Sequence, residues 1–318
     1  MNTLRISCPG AECTKEERIR GLLDSCFDWA SSEPLQKLVG LFGGNVPSFG
    51  SKSERLRYLE ALRAFAARWD YRNGRERWAI EEDSIVTDNS AFVIEQIRAL
   101  GLLDVLPPRS EPDYIIALGG ARRTNHIRCL MAKKLADTFG YSDKTITALS
   151  AMRPINEIER PYTDEYAPGA ETEYDAICAA LENVFALKEY TESKVNDPNI
   201  HLCSALRHYA DRYKGSDIYS IAAPSRSPSR RANSSDCFEH LVSHFEVGQG
   251  ARLLLVTSRL YVPFQYLMFI RQAVRNGFEI DCIGTNIGDN TPLISPTGFL
   301  QEIKGIIDAI WGLYREWY

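Results

Sequence analysis

The sequence has no long apolar run and no strong excess of either charge. Of its 318 residues, 37 are lysine or arginine and 42 are aspartate or glutamate, which gives a formal net charge of −5. This balance excludes a general electrostatic attraction to nucleic acid or to an anionic membrane. No apolar segment approaches the roughly 18 residues that a membrane-spanning helix needs, and the N-terminal stretch lacks the apolar core of a secretion signal. We therefore expect a cytoplasmic protein without a membrane partner.

Several motifs that would indicate a particular catalytic or binding function are also missing. The eight cysteines are scattered and none form a C-x-x-C pair, which is typical of reduced, mostly buried thiols and argues against a zinc site. His240 and His244 stand one helical turn apart without a third ligand at motif spacing, so we expect no metal. The chain has no G-x-S-x-G elbow, no G-x-G-x-x-G turn and no P-loop, so none of these motifs indicates a serine hydrolase, a dinucleotide site or a P-loop site.

The pattern of apolar residues changes near Pro107. The first 107 residues carry apolar positions at helical spacing, beginning with the capping-box signal Thr14-x-x-Glu17, and we expect a helical section there. Beyond the connector, short apolar runs alternate with amphipathic helices, which predicts an α/β domain over 108–318 with a doubly wound, mostly parallel, Rossmann-like sheet. The expected strands are 113–118, 144–149, 217–223, 252–257 and 278–283, and the expected helices are about 122–138, 172–186, 234–245, 262–276 and 298–314.

One stretch inside this alternation has no clear pattern. Residues 187–212 are polar at first and show no clear periodicity. Further along, Leu202, Leu206 and Tyr209 have the spacing of one face of a helix, and we expect them to line one.

The rest of the chain is organised around the segment 113–128, DYIIALGGARRTNHIR. An apolar run ends at Gly119 and Gly120, and a helix is expected to follow directly. A strand, a glycine turn and a helix N-terminus leave backbone N–H groups and the positive end of the helix dipole facing one place. Arg122 and Arg123 add positive charge there, so the segment predicts a cradle for a phosphate or carboxylate.

Polar side chains follow every expected strand, where ligands of open α/β sheets collect. We expect some of them to transfer protons and others to bind substrate, although a solvated first helical turn for Arg122 and Arg123 and a helix cap for Asn233 and Asp236 remain open as alternatives. The candidate catalytic residues are Glu157, Glu159, Asp236 and Tyr261. The candidate substrate-binding residues are Gly119, Gly120, Arg122, Arg123, Asn125, Ser150, Arg153, Arg231, Asn233, Ser258 and Gln265.

Four segments in this order resemble the SanA/YdcF-like family of bacterial proteins: LGG at 118–120, ALSAMRP at 148–154, SRRANSSD at 229–236 and LLLVTSRLYVP at 253–263. The likeness covers about 113–290. It implies a Rossmann-like α/β domain that binds a nucleotide or S-adenosylmethionine, or an envelope-related enzyme. The chain departs from the family pattern at Ala151, where the family has glycine, and at Tyr261, where it has histidine.

The sequence favours a biosynthetic enzyme of the transferase or condensing type acting on an anionic small molecule. One alternative is an enzyme like the tRNA-dependent cyclodipeptide synthases, which use aminoacyl-tRNA, although the serine nucleophile of that class would fall at Gly120 or Ala121. Another is a non-catalytic binder of a nucleotide or S-adenosylmethionine. The cofactor is therefore unknown, with those two molecules as candidates, and both tRNA and a second copy of the chain remain open as partners.

Overall fold

In a computed structural model of the chain, residues 3–45, 52–74, 80–140, 142–285 and 295–318 are described. The chain divides into two compact units. The first comprises Met1–Asp104, Arg259–Arg275 and Pro292–Tyr318, and the second comprises Val105–Ser258 and Asn276–Thr291. No helix within the described ranges is both long enough and apolar enough to cross a bilayer.

The first unit is helical. The expected capping box forms at its start, where the Glu17 amide donates to Thr14 Oγ1 and the Thr14 amide donates to Glu17 Oε2. Its helices are α1 (Lys15–Ala30), α2 (Glu33–Leu41), α3 (Lys52–Ala66), α4 (Ser84–Asp88), α5 (Ser90–Ala99), α10 (Val262–Asn276) and α11 (Pro296–Trp317). The N-terminal helical section expected from the sequence is therefore present.

Two C-terminal helices belong to this unit as well, which differs from the contiguous division at Pro107 that the sequence suggested. Helix α11 packs against α1 and α3. Ile303, Ile306 and Ile310 are fully buried, and the Tyr314 hydroxyl donates to the Leu23 carbonyl over 2.7 Å. Because so much of α11 is apolar, the helix completes the core of the first unit instead of lying on the sheet as an amphipathic layer.

The second unit is built on one seven-stranded sheet. Its order is β3-β4-β5-β2-β1-β6-β7, and β5, β2, β1, β6 and β7 run parallel while β3 and β4 are antiparallel at one edge. The chain is thus a mixed α/β protein with a mostly parallel sheet, as expected. The strands are β1 (Tyr114–Leu118), β2 (Thr145–Ala151), β3 (Tyr190–Val195), β4 (Ser204–Tyr213), β5 (Ser216–Ala223), β6 (Arg252–Ser258) and β7 (Glu279–Thr285).

Helices of the second unit cover both faces of this sheet. They are α6 (Thr124–Thr138), α7 (Arg160–Thr163), α8 (Glu173–Phe185) and α9 (Ser234–His244). Ile115 of β1 packs with Cys129 of α6 and Ile177 of α8 in one buried cluster. Tyr114, the preceding residue on β1, points to the opposite face and contacts Phe245 at the end of α9. The core therefore lies in two layers, one on each side of the parallel strands.

The helix expected to carry Leu202, Leu206 and Tyr209 is wrong. The chain there forms β3, a short 3₁₀ turn at Ile200–Leu202 and β4. Ala205 and Tyr209 of β4 are buried on one face of the sheet, at the even spacing of a strand. Pairing of β4 with strands on both sides supplies the backbone hydrogen bonds that a helix would otherwise make.

Candidate functional site

The turn between β1 and α6 lies at the carboxyl edge of the parallel strands. The Gly119 amide continues the ladder by donating to the Leu149 carbonyl of β2 over 2.7 Å. A Cβ on Gly119 would lie 3.0 Å from that carbonyl oxygen and would collide with Glu173 Oε1. A Cβ on Gly120 would lie 2.5 Å from Thr124 Oγ1. Both glycines are therefore needed because neighbouring groups approach the backbone too closely for a side chain.

Helix α6 begins at Thr124, two residues later than expected, so 121–123 form a turn. The Gly120 amide donates to Asn125 Oδ1 over 2.8 Å, and the Asn125 side chain is buried. Arg122 adopts a left-handed backbone with φ +56°, which a residue with a Cβ seldom adopts. Five amides find no acceptor in the described part of the chain, namely those of Ala121, Arg122, Arg123, Asn125 and His126.

A buried arginine lies beneath this turn. The Arg128 guanidinium donates to the Leu118 carbonyl over 2.6 Å, to the Gly119 carbonyl over 2.5 Å and to Ser258 Oγ over 3.1 Å. Arg128 is 3 % exposed. It thereby joins the ends of β1 and β6 and places a fixed positive charge against the glycine turn.

The two arginines of the turn itself differ in their partners. Arg123 forms a bidentate ion pair with Glu165. Its Nη1 atom is buried and has no acceptor among the described residues. Arg122 has no ion pair within the described ranges, and its guanidinium lies 4.9 Å from the centre of the Tyr162 ring. Arg122 is thus the arginine of this turn whose charge no carboxylate of the described residues neutralises.

A second charged group follows β2. Arg153 Nε donates to Glu173 Oε2 and its Nη1 donates to Glu159 Oε2, each over 2.8 Å. Burial disfavours the charged guanidinium, but the two carboxylates outweigh that effect and raise the pKa of Arg153. Glu173 Oε1, the atom that lies against Gly119, accepts no hydrogen bond from any described residue.

In the sequence Glu173 belongs to an acidic set within 157–175 that could bind a cationic substrate, transfer protons or simply be solvated, and it is not among the residues selected there as catalytic. It begins α8 directly after the capping residue Thr172, and an acidic residue in a first turn usually complements the helix dipole. Its proximity to Gly119 comes only from the folded sheet, so the sequence carried no specific signal for it.

His126 is a further group that the sequence did not assign to the site. It lies in the first turn of α6, with its ring 5.7 Å from that of Tyr166. Burial lowers the pKa of His126, and Nδ1 is buried without a partner in the described ranges. A neutral imidazole close to the glycine turn can accept a proton at physiological pH.

Asp236 and Asn233 form a capping box at the start of α9. The Asp236 amide donates to Asn233 Oδ1 over 3.0 Å, and the Asn233 amide donates back to Asp236 Oδ2 over 3.1 Å. Arg226 and Arg230 also donate to the Asp236 carboxylate, over 3.0 and 2.5 Å. Although burial acts in the opposite direction, these donors lower the pKa of Asp236 to about 2. This set of donors favours a capping and clamping role for Asp236 over the proton transfer expected from the sequence.

The structure brings some of the expected residues together and separates others. Arg128 joins Gly119 to Ser258 and the Gly120 amide donates to Asn125, whereas Arg153 joins Glu159 to Glu173. Ser150 is buried and donates to the Ile221 carbonyl over 3.2 Å. Of the remaining candidates, Glu157 and Arg231 are exposed on loops, and Tyr261 and Gln265 belong to the first unit.

Sequence comparison finds mycobacterial relatives of this chain. A family model described as the Rv3785 N-terminal domain matches residues 13–101, which lie in the first unit. The uncharacterized protein Rv3785 of Mycobacterium tuberculosis is 28 % identical over 323 positions, which cover 92 % of this chain and 88 % of the relative. The uncharacterized protein Mb3814 of Mycobacterium bovis matches to the same extent. No solved structure matches the chain.

Proposed function

We propose that the second unit is a Rossmann-like domain that binds a small molecule bearing a phosphate or carboxylate at the turn Gly119–Arg123, and that the protein is a transferase-type biosynthetic enzyme. The observation that carries the proposal is the set of five amides, in the turn 121–123 and the first turn of α6, that have no acceptor in the described part of the chain. These amides and the buried Arg128 guanidinium flank the same short turn. Together they make a pre-arranged site for negative charge.

The strand order supports the placement of this site. Taken in chain order, the five parallel strands run third, second, first, fourth, fifth across the sheet. This is the order of the first five strands of dinucleotide-binding folds, which bind ligands where the order reverses. Here the reversal lies between β1 and β6, and the Arg128–Ser258 hydrogen bond marks that position.

Two groups near the turn have the properties that proton transfer requires. Glu173 holds one carboxylate oxygen on Arg153 and leaves the other beside Gly119. His126 has a lowered pKa and a buried nitrogen without a partner among the described residues. We propose that Glu173 accepts a hydrogen bond from a hydroxyl or amine of the ligand, and that either group removes a proton there.

The charges of the loop after β5 favour a small anion over tRNA. Arg226 and Arg230 already hold Asp236, and Arg226 also pairs with Glu239 over 2.6 Å. A nucleic-acid site needs several arginines or lysines that remain available for phosphates. In this loop only Arg231 has no ion pair in the described part of the chain, so we rank aminoacyl-tRNA second.

Calorimetric titration of the full chain tests the proposal. The probes are inorganic phosphate, AMP, ATP and S-adenosylmethionine, and we expect binding of at least one phosphate-bearing probe. Arg122→Gln is expected to weaken that binding about tenfold, because a charge-assisted hydrogen bond to phosphate is lost. Lys134→Gln removes the same charge from an exposed position further along α6 and is expected to leave the affinity unchanged.

Two results would contradict the proposal. One is a complete lack of binding by all four probes. The other is an equal loss of affinity in the Arg122 and Lys134 variants, because that would reflect general charge rather than the turn. Binding of S-adenosylmethionine alone would keep the domain as a ligand-binding unit and would replace phosphate with the methionine carboxylate as the docked group.

A further inference from the structure

The outer strand of the sheet is fully exposed. Strand β3 pairs with β4 on one side, and no residue of the described ranges pairs with its other side. All six of its residues are exposed, including Tyr190 and Val195, which are 45 % and 62 % exposed. An open edge of this kind presents unpaired N–H and C=O groups that can accept another strand.

The hydrogen bonds to β4 determine which residues face the open edge. The Ala210 amide of β4 donates to the Glu189 carbonyl over 2.8 Å, and the strand register places these two residues opposite each other. In an antiparallel ladder such hydrogen-bonded pairs occur at every second residue. The backbone groups of Thr191, Ser193 and Val195 therefore point to β4, while those of Tyr190, Glu192 and Lys194 point outward.

This alternation restricts how two copies of β3 can pair about a two-fold axis, since outward-facing residues have to meet outward-facing residues. An axis at Glu192 opposes two glutamates, and an axis at Lys194 opposes two lysines. An axis at Thr191 places Glu192 opposite Tyr190 and leaves Lys194 beyond the pairing. An axis at Ser193 places Glu192 of each copy opposite Lys194 of the other, and opposite charges across a ladder attract.

The side chains of β3 also favour the register with its axis at Ser193. Glu192 is held in place by Arg207 over 2.8 Å and by Lys194 over 2.9 Å. Its side chain is therefore already ordered before a second copy binds. On the other face, the same register sets the β-branched Thr191 against Val195 of the second copy, a pair that packs well between strands. The charges, the side-chain shapes and the direction of the backbone N–H and C=O groups thus all favour an axis at Ser193.

We propose that this chain forms a homodimer through antiparallel pairing of two β3 edges centred on Ser193, which joins two sheets into one. Because the contact consists of two six-residue strands, it is smaller than a standard permanent interface. The dimer therefore dissociates on dilution.

Disulfide trapping tests both the dimer and its register. Ser193→Cys places two thiols in a non-hydrogen-bonded pair with Cα atoms about 4.5 Å apart, within the range that a disulfide spans. Thr191→Cys is the matched control, because its two thiols would be four residues out of register, about 13 Å apart at the rise of a strand. We expect mild oxidation to cross-link the Ser193 variant and to leave the Thr191 variant and the unaltered chain monomeric on a non-reducing gel.

Sedimentation velocity of the full chain at several concentrations provides the second measurement. We expect a monomer–dimer equilibrium, and we expect Lys194→Glu to weaken it about tenfold because two attractive pairs become repulsive. Lys188→Glu makes the same charge change just outside the strand and is expected to have no effect. A monomer at every concentration, equal cross-linking of both cysteine variants, or a dimer that Lys194→Glu leaves intact would overturn the proposal.

Discussion

Gly119 occupies a position where the folded chain leaves no room for a side chain. A methyl group there would meet Glu173 Oε1 and lie 3.0 Å from the Leu149 carbonyl oxygen. We expect Gly119→Ala to lower the free energy of unfolding by about 1–3 kcal/mol, the usual effect of overpacking, in urea denaturation. Gly248→Ala is the control because no atom lies within 4 Å of its added Cβ, and a change within about 0.5 kcal/mol is expected. Equal effects of the two substitutions would show that the turn adapts.

Asp236 predicts a specific pH dependence of stability. Its pKa is lowered from 3.8 to about 2 in the folded chain, so the ionised carboxylate stabilises the fold above pH 4. That contribution, about 2 kcal/mol, is lost as the pH falls from 4 towards 2. We expect Asp236→Asn to be less stable near neutral pH and to show a flatter acid dependence, measured by denaturation at several pH values. Asp164→Asn alters an exposed ion pair of 3.8 Å and should retain the acid dependence of the unaltered chain.

At the scale of elements, Arg153 connects the loop after β2 to α7 and α8. It holds Glu159, whose side chain is 5 % exposed, and Glu173. We expect Arg153→Met to cost about 3 kcal/mol of stability because it leaves a buried carboxylate without its partner. Adding Glu159→Gln should recover part of that loss, which a double-mutant cycle measures. Arg160→Met removes a more exposed arginine of α7 and should cost about 1 kcal/mol or less. The absence of any recovery in the double variant would contradict this account.

The elements that the sequence predicted correctly are those whose pattern reflects burial alone. The run 252–257 became β6 (Arg252–Ser258) because the central parallel strands are covered on both faces and therefore read as continuous apolar runs. Strand β3 is exposed throughout, so its sequence contains no apolar run that would predict a strand. In β4 the alternation is interrupted by Arg207, a charged residue on the same face as Tyr209, where Glu182 and Glu192 neutralise it. A pattern of apolar residues cannot foresee an ion pair between distant segments.

The candidate site was predictable to a similar degree. The glycine turn was visible because strand, glycine pair and helix follow each other within one short segment. Its partners were only partly visible, since Ser258 reaches the turn through Arg128 and Glu173 reaches it from the start of α8. Asp236 looked like a catalytic acid because a carboxylate near a strand end suggests one. Its two arginine partners, which only the folded loop brings together, favour a capping role instead.

At the scale of the whole molecule, the two compact units determine where the chain can be cut into fragments that fold. The family match over 13–101 suggests a boundary near Pro107, yet α10 and α11 belong to the unit that begins at the N-terminus. The buried face of α11, which includes Ile303, Ile306 and Ile310, packs on α1 and α3. A fragment comprising 108–318 would expose that face to water. Exposed apolar surface of this kind promotes aggregation.

We therefore expect the 108–318 fragment to be insoluble or to lack a cooperative unfolding transition, in contrast to the full chain. Co-expression of 1–107 with 108–318 should restore solubility, and the two fragments should purify together because α1 and α3 again cover α11. Light scattering and thermal unfolding measured by circular dichroism distinguish the cases. A soluble, monomeric and cooperatively folded 108–318 fragment would mean that α11 does not need the N-terminal helices, and the two compact units would then be a less accurate description than a division at Pro107.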